Sequence, residues 1–160
     1  MKRIVLAASA CASLSACIAV DNSSYGPPPT GTSVAASDLV TARQAHMRMA
    51  AITLGAAGRV AADDTADPSQ ASFAAGGLAK FGKVLPIYFG PDTRNRPDTG
   101  ALPQVWSDRE GFAAAAADFA DATQRLSTAA DANDRAAFTD ALASTRASCK
   151  ACHDVYRAAD

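Results

Sequence analysis

The chain has 160 residues, 49% of them hydrophobic but only 6% aromatic, and 15 Lys+Arg against 16 Asp+Glu leave a formal net charge of −1. That length fits one domain, the absence of a basic run argues against nucleic acid as a partner, and no apolar stretch beyond the N-terminus reaches the roughly 18 residues a membrane-spanning helix needs. The hydrophobic fraction is mostly alanine, which loses almost no side-chain entropy in a helix, so an all-helical domain is the expectation.

In chain order, Lys2 and Arg3 precede an apolar run from Ile4 to Ala16, the charged and apolar regions of an export signal over 1–16. The run closes on Leu14-Ser15-Ala16-Cys17, which resembles a lipobox, where cleavage falls before a lipidated cysteine; an ordinary signal cleaved nearby is the alternative. Residues 17–37 are rich in Pro, Gly and small polar residues without a helical period, the composition of a tether. A periplasmic domain, 38–160, would then hang from a membrane through lipid on Cys17. Ile18 is not the aspartate associated with inner-membrane retention, which favours the outer membrane. Of the four cysteines, Cys11 leaves with the signal and Cys17 is lipidated or lost, so only Cys149 and Cys152 reach the folded part. Losing Lys2 and Arg3 takes the formal charge from −1 to −3.

From Asp38 the residues Val40, Met47, Leu54 and Ala61 recur every seven, the buried stripe of a first helix, with Ser37 and Asp38 available to cap it. Pro68 suits the start of a second helix carrying Phe73, Leu78, Phe81 and Leu85 and ended by Pro86; Gly76-Gly77 inside it suggests close approach of another group. Pro86 to Val105 has no period and is a crossing loop, ordered or disordered. Ser107 with Glu110 forms a capping box that opens a third helix carrying Phe112, Phe119 and Leu126 to about Ala130, and Trp106 before it reads as a hydrophobic staple. After a turn at Asp131-Ala132-Asn133, a last helix carries Phe138, Leu142, Cys149, His153 and Tyr156. Four amphipathic helices predict an all-α antiparallel four-helix bundle.

Cys149-Lys150-Ala151-Cys152-His153 is a CxxCH sequence, the attachment signature of c-type haem. On a helix the two sulfurs, three residues apart, lie on one side where they can add to the two vinyl groups of one porphyrin edge, and His153 can reach the iron. A redox CxxC pair would sit beside a βαβ unit at a helix N-terminus, and structural zinc needs four ligands where the exported domain offers only Cys149, Cys152, His153 and His46 as Cys or His. One covalent haem c per chain is the cofactor these residues predict.

With the haem motif at the C-terminus, Pro103-Gln104-Val105-Trp106-Ser107-Asp108 before the third helix and Arg43-Gln44 in the first, the chain from Asp38 to Asp160 resembles the class II cytochromes c, the family of cytochrome c' and its low-spin c-556 relatives. The resemblance implies that Cys149 and Cys152 bind the haem, that His153 is the proximal ligand, that Arg157 lies against the proximal side and that Arg43 and Gln44 sit near the propionates. It also leaves room for a homodimer paired through the first helices.

The same register puts Met47, four after Arg43, across the haem from His153. In cytochrome c' that place holds an apolar blocking residue and the iron is five-coordinate; in the low-spin relatives it holds a methionine that ligates. Met47 on the core stripe fits either role. The reading taken from the sequence is ligation by His153 and Met47, hence a one-electron carrier that serves redox partner proteins and breaks no substrate bonds. A five-coordinate haem protein that binds nitric oxide or carbon monoxide is the alternative. His46, about 100° round the helix from Met47, is a solvated or propionate-facing side chain on this register, with bis-histidine ligation as the lesser option.

Overall fold

A computed structural model describes residues 34–159, so the export signal and most of the tether lie outside the described residues. Alanine-rich, seven-spaced stripes become four long helices: α1 (Ala36–Ala62), α2 (Ser72–Val84), α4 (Arg109–Asp131) and α5 (Arg135–Tyr156), with the single-turn α3 (Gln104–Ser107) ahead of α4. They form the antiparallel four-helix bundle expected from the periodicity. α4 packs along both α2 and α5, while α1 closes the bundle against α2 and α5.

The helix starts differ from the sequence reading in instructive ways. α1 begins at Ala36, so Ser37 and Asp38 lie inside its first turn, and the N-cap is Ala35 with no side-chain bond. Asp38 there still complements the positive end of the helix dipole. Pro68 opens a 3-10 turn, Pro68–Ala71, that leads into α2. Ser107 does not cap α4; it is the last residue of α3, and Asp108 caps instead, its Oδ1 accepting from the Gly111 N–H at 3.0 Å. α5 is capped in the same way by Asp134, whose Oδ1 accepts from the Ala137 N–H at 3.0 Å. The turn between α4 and α5 is made by Asn133 in the left-handed region at φ 54°, a conformation asparagine tolerates.

Two expectations for α2 fail. Phe73 is 97% exposed, because the five residues to Leu78 rotate it about 140° away from the buried stripe. The close approach falls at Gly82, not at Gly76-Gly77: a Cβ at Gly82 would meet Thr123 Oγ1 at 2.7 Å and Ala120 Cα at 3.0 Å, whereas Gly77 has nothing within 4 Å.

The main core joins Leu78, Phe81 and Leu85 of α2 and its 3-10 extension to Phe119 and Leu126 of α4 and Phe138 and Leu142 of α5. A second cluster, Val105, Trp106, Phe112 and Tyr156, fills the end of the bundle beneath the crossing loop. That loop is ordered. It holds 3-10 turns at Leu85–Phe89 and Pro91–Thr93, and the buried Trp106 indole donates to the carbonyls of Phe89 (3.1 Å) and Gly90 (3.3 Å), so Trp106 pins the loop and is more than a staple. Further on, the loop pairs with the chain beyond α5 through Leu102 N–H to Tyr156 C=O (2.9 Å), Ala158 N–H to Gly100 C=O (3.0 Å) and an antiparallel bridge between Ala101 and Arg157.

Candidate haem site

The three-residue spacing sets both thiols of α5 on one side of the helix, and their surroundings differ by one turn. Cys149 packs against the main core and Cys152 against the second cluster, so the pair straddles the junction of the two. Both are free and half-buried. Burial is the main cause that pushes each thiol above the ordinary cysteine value, which keeps them protonated at neutral pH. His153, next along, is half-buried; burial first and the Arg157 guanidinium second hold its pKa below the ordinary value, with Asp154 opposing. The imidazole is therefore neutral at pH 7, the form that can give a lone pair to a metal.

Between α1 and α5 runs a crevice with two lobes, of about 150 Å³ and about 410 Å³. Met47, Ala51, Cys152 and His153 line both. In the smaller lobe the α1 wall is Met47, Ala50, Ala51 and Leu54, one helix face at intervals of three, four and seven, backed by Leu78, Leu85 and Phe119. Alanines at 50 and 51 leave width for a flat ring against α5. The cations gather in the larger lobe, where Arg43, Arg48 and Arg157 stand with Gln44 and Thr99, while the smaller lobe adds only Thr145 and Ser148 of α5.

Apolar walls, two reduced thiols on one helix face, a neutral histidine beside them and cations at one end suit an apolar macrocycle that carries carboxylates. Cys149 and Cys152 would hold such a group by thioethers and His153 would ligate its iron. Among the described residues no three His, Cys, Asp or Glu side chains converge on a point fit for a metal ion, so a structural zinc site has no ligand set.

The other sequence-assigned residues take up distinct places. Met47 lies on the α1 wall, partly buried and packed against the main core. Arg43 is 3% exposed; its guanidinium donates to Tyr88 C=O (3.2 Å), Thr99 Oγ1 (2.8 Å) and Thr99 C=O, and stands over the Phe89 ring at 4.5 Å. Burial lowers its pKa, partly offset by Asp98. It thus lines the larger lobe while its donors go to the crossing loop. Gln44 Nε2 donates to Asp98 C=O at 2.6 Å. Arg157 is the residue that ends α5, its N–H donating to His153 C=O at 3.2 Å, and it lines the larger lobe. His46 turns the other way: it stacks on Phe81 with ring centroids 5.4 Å apart, bonds Ala42 C=O through Nδ1 at 2.8 Å, and lines neither lobe. Met49 is exposed.

One pair escaped the sequence reading. Tyr156, assigned only to the core, donates its hydroxyl to Asp108 Oδ2 at 2.7 Å, joining the end of α5 to the cap of α4. The signal was there, since a buried tyrosine hydroxyl needs a partner.

A four-helix bundle whose last helix offers Cys-x-x-Cys-His to a crevice facing the first is the architecture of a c-type haem protein. The sequence profile of the cytochrome c' family matches residues 38–157. Cytochrome c' of Rubrivivax gelatinosus is 40% identical over 93 residues, which cover 56% of this chain and 72% of that protein. Its crystal structure superposes with a TM-score of 0.71 at 31% identity, covering 77% of this chain and 97% of that one. The nitric oxide complex of a mutant cytochrome c prime from Alcaligenes xylosoxidans gives 0.72 at 31% identity, covering 80% and 99%. The chain belongs to the cytochrome c' family and is a haem c protein.

Proposed function

We propose that this protein is a periplasmic haem c protein that binds nitric oxide or carbon monoxide, with His153 the one protein ligand to the iron and Met47 the apolar guard of the opposite face. The observation that carries this reading is the α1 wall of the smaller lobe. Met47, Ala50, Ala51 and Leu54 present no nitrogen or oxygen there, and Met47 itself packs into the main core. Such a surface admits a small uncharged diatomic molecule and repels anions, which would lose hydration without gaining a hydrogen bond. Bound covalently through Cys149 and Cys152, haem supplies an iron able to take a diatomic ligand. The protein's own part is to keep the His153 imidazole neutral, to exclude water with the α1 wall, and to gather cations at the mouth of the larger lobe. The nitric oxide complex of the Alcaligenes xylosoxidans relative supports the assignment. Export and lipid attachment at Cys17 belong to the same proposal and rest on the sequence of 1–37 alone.

The second reading, a one-electron carrier with Met47 as sixth ligand, is favoured by one feature: Met47 lines both lobes, on the helix that faces His153. The optical spectrum of the purified ferric protein separates the two. Gas binding requires a high-spin spectrum that Met47→Leu leaves unaltered and a reduced form that shifts readily with carbon monoxide. A low-spin spectrum with a sulfur-to-iron charge-transfer band, abolished by Met47→Leu, would establish the carrier instead. Both readings fail if the denatured mature chain carries no haem by mass.

A further inference from the structure

The last turn of α5 carries Cys152 and His153 and then stops at Tyr156. A helix C-terminus leaves its final carbonyls without intrahelical partners and is where fraying starts. Here the backbone is held by the crossing loop, through Leu102 N–H to Tyr156 C=O and Ala158 N–H to Gly100 C=O. The side-chain tie is different in kind. The buried Tyr156 ring meets Phe112 edge-on, with centroids 5.4 Å apart, and its hydroxyl donates to Asp108 Oδ2 at 2.7 Å. The other oxygen of that carboxylate caps α4. One carboxylate therefore fastens the end of the haem-bearing helix to the start of its neighbour.

Gly111 adds an independent mark of this arrangement. A Cβ there would stand 2.6 Å from Tyr156 Oη, closer still to Asp108 Oδ2, and 2.8 Å from Asp108 Cγ. The first turn of α4 thus carries its one residue without a side chain directly under the phenol and carboxylate, although alanine would suit a helix better.

We infer that Tyr156 and Asp108 are positioning residues for His153: the phenol-to-carboxylate bond latches the final turn of α5 and so fixes where the imidazole stands and how firmly it can be held against the iron. The inference rests on His153 as axial ligand, as proposed above. The pair lies one turn beyond His153, and Tyr156 lines the larger lobe of the same crevice, so loss of the bond is felt at the proximal side before it reaches α1. Tyr156→Phe keeps the ring packing and removes the bond. Gly111→Ala keeps both partners and drives them apart. Asp108→Asn keeps the cap and offers the phenol an amide partner, and so serves as the conservative control.

The test uses the holoprotein of each variant. Two measurements are made: hydrogen exchange of the amides of the last turn of α5, and the iron–histidine stretching band in the resonance Raman spectrum of the reduced form. Tyr156→Phe and Gly111→Ala are expected to speed exchange of that turn by about tenfold, the order set by one bond to a charged acceptor, and to broaden the band and move it to lower frequency. Asp108→Asn should stay near wild type in both. If Tyr156→Phe speeds exchange yet leaves the band in place, the pair is only structural and the inference is overturned. If the haem-bearing wild type itself shows no iron–histidine band, the five-coordinate reading fails first, and exchange of that turn left unchanged by Tyr156→Phe then overturns this inference separately.

Discussion

Met47 and Arg43 show how differently two residues of one helix face behave once their surroundings are known. Met47 keeps the ambiguity it has in the sequence, because a thioether that fills a gap and one that ligates need the same position; the family comparison tilts it to the guard. Its truncation is informative under that role: Met47→Ala should widen the smaller lobe and speed carbon monoxide association with the reduced protein, measured by flash photolysis, while Met47→Leu changes the rate little. Resemblance alone places Arg43 at the propionates, and its bonds to Tyr88 and Thr99 are not legible in the sequence, since they join its side chain to loop carbonyls and a threonine hydroxyl 45 and 56 residues away. Arg43→Ala should lower stability in urea by about 2 kcal/mol, because buried loop carbonyls lose a charged donor. Arg43→Lys should rescue little of that, as one ammonium cannot reproduce the fork that reaches both residues. The proposed haem-binding residues are legible for the opposite reason: Cys149, Cys152 and His153 fall within five consecutive residues, so their geometry is fixed by the helix itself.

Glycine and capping choices act on whole helices, and there the sequence gives the element but not always its cause. The stripes of α4 and α5 were readable because Phe112, Phe119 and Leu126, or Phe138 and Leu142, are large and regularly spaced, and all are buried. Phe73 departs from the α2 stripe because its angular position, not its aromatic character, decides which face it takes. Ser107 misled because Ser and Asp are both good caps and stand side by side; α3 takes Ser107 into its own turn and passes the cap to Asp108. For α2 the close contact with α4 at Gly82 yields a paired expectation. Gly82→Ala should destabilise by about 1–2 kcal/mol in thermal or urea unfolding, since the added methyl must shift the α4 backbone at Ala120, a cost larger than the gain in helix propensity. Gly77→Ala, with open space around it, should stabilise by up to about 1 kcal/mol. Equal effects at the two positions would mean that α2 and α4 do not meet at Gly82.

At the scale of the whole molecule, the bundle follows from four amphipathic stripes, but the crossing loop does not follow from anything periodic. It fastens α1 through Arg43 and Gln44, α3 through Trp106, and the end of α5 through Leu102 and Gly100, so the two walls of the crevice share one strap. Proline and glycine mark such a segment as irregular, and its backbone partners emerge only when the helices are assembled. Tyr156 lies where these ties converge, and it links global stability to alkaline pH. Its bond to Asp108, with burial second, pushes the phenol up to about 12 from the ordinary 10.0. The folded chain therefore binds this proton more tightly than the unfolded one does, so the stabilisation is complete below pH 10 and is lost as pH rises towards 12. The urea midpoint of the wild type should fall more steeply across that window than that of Tyr156→Phe, and the gap between the two should narrow as pH 12 is approached. Parallel curves over the window would mean that the phenol has no such bond in solution, since every other titrating group is common to both chains.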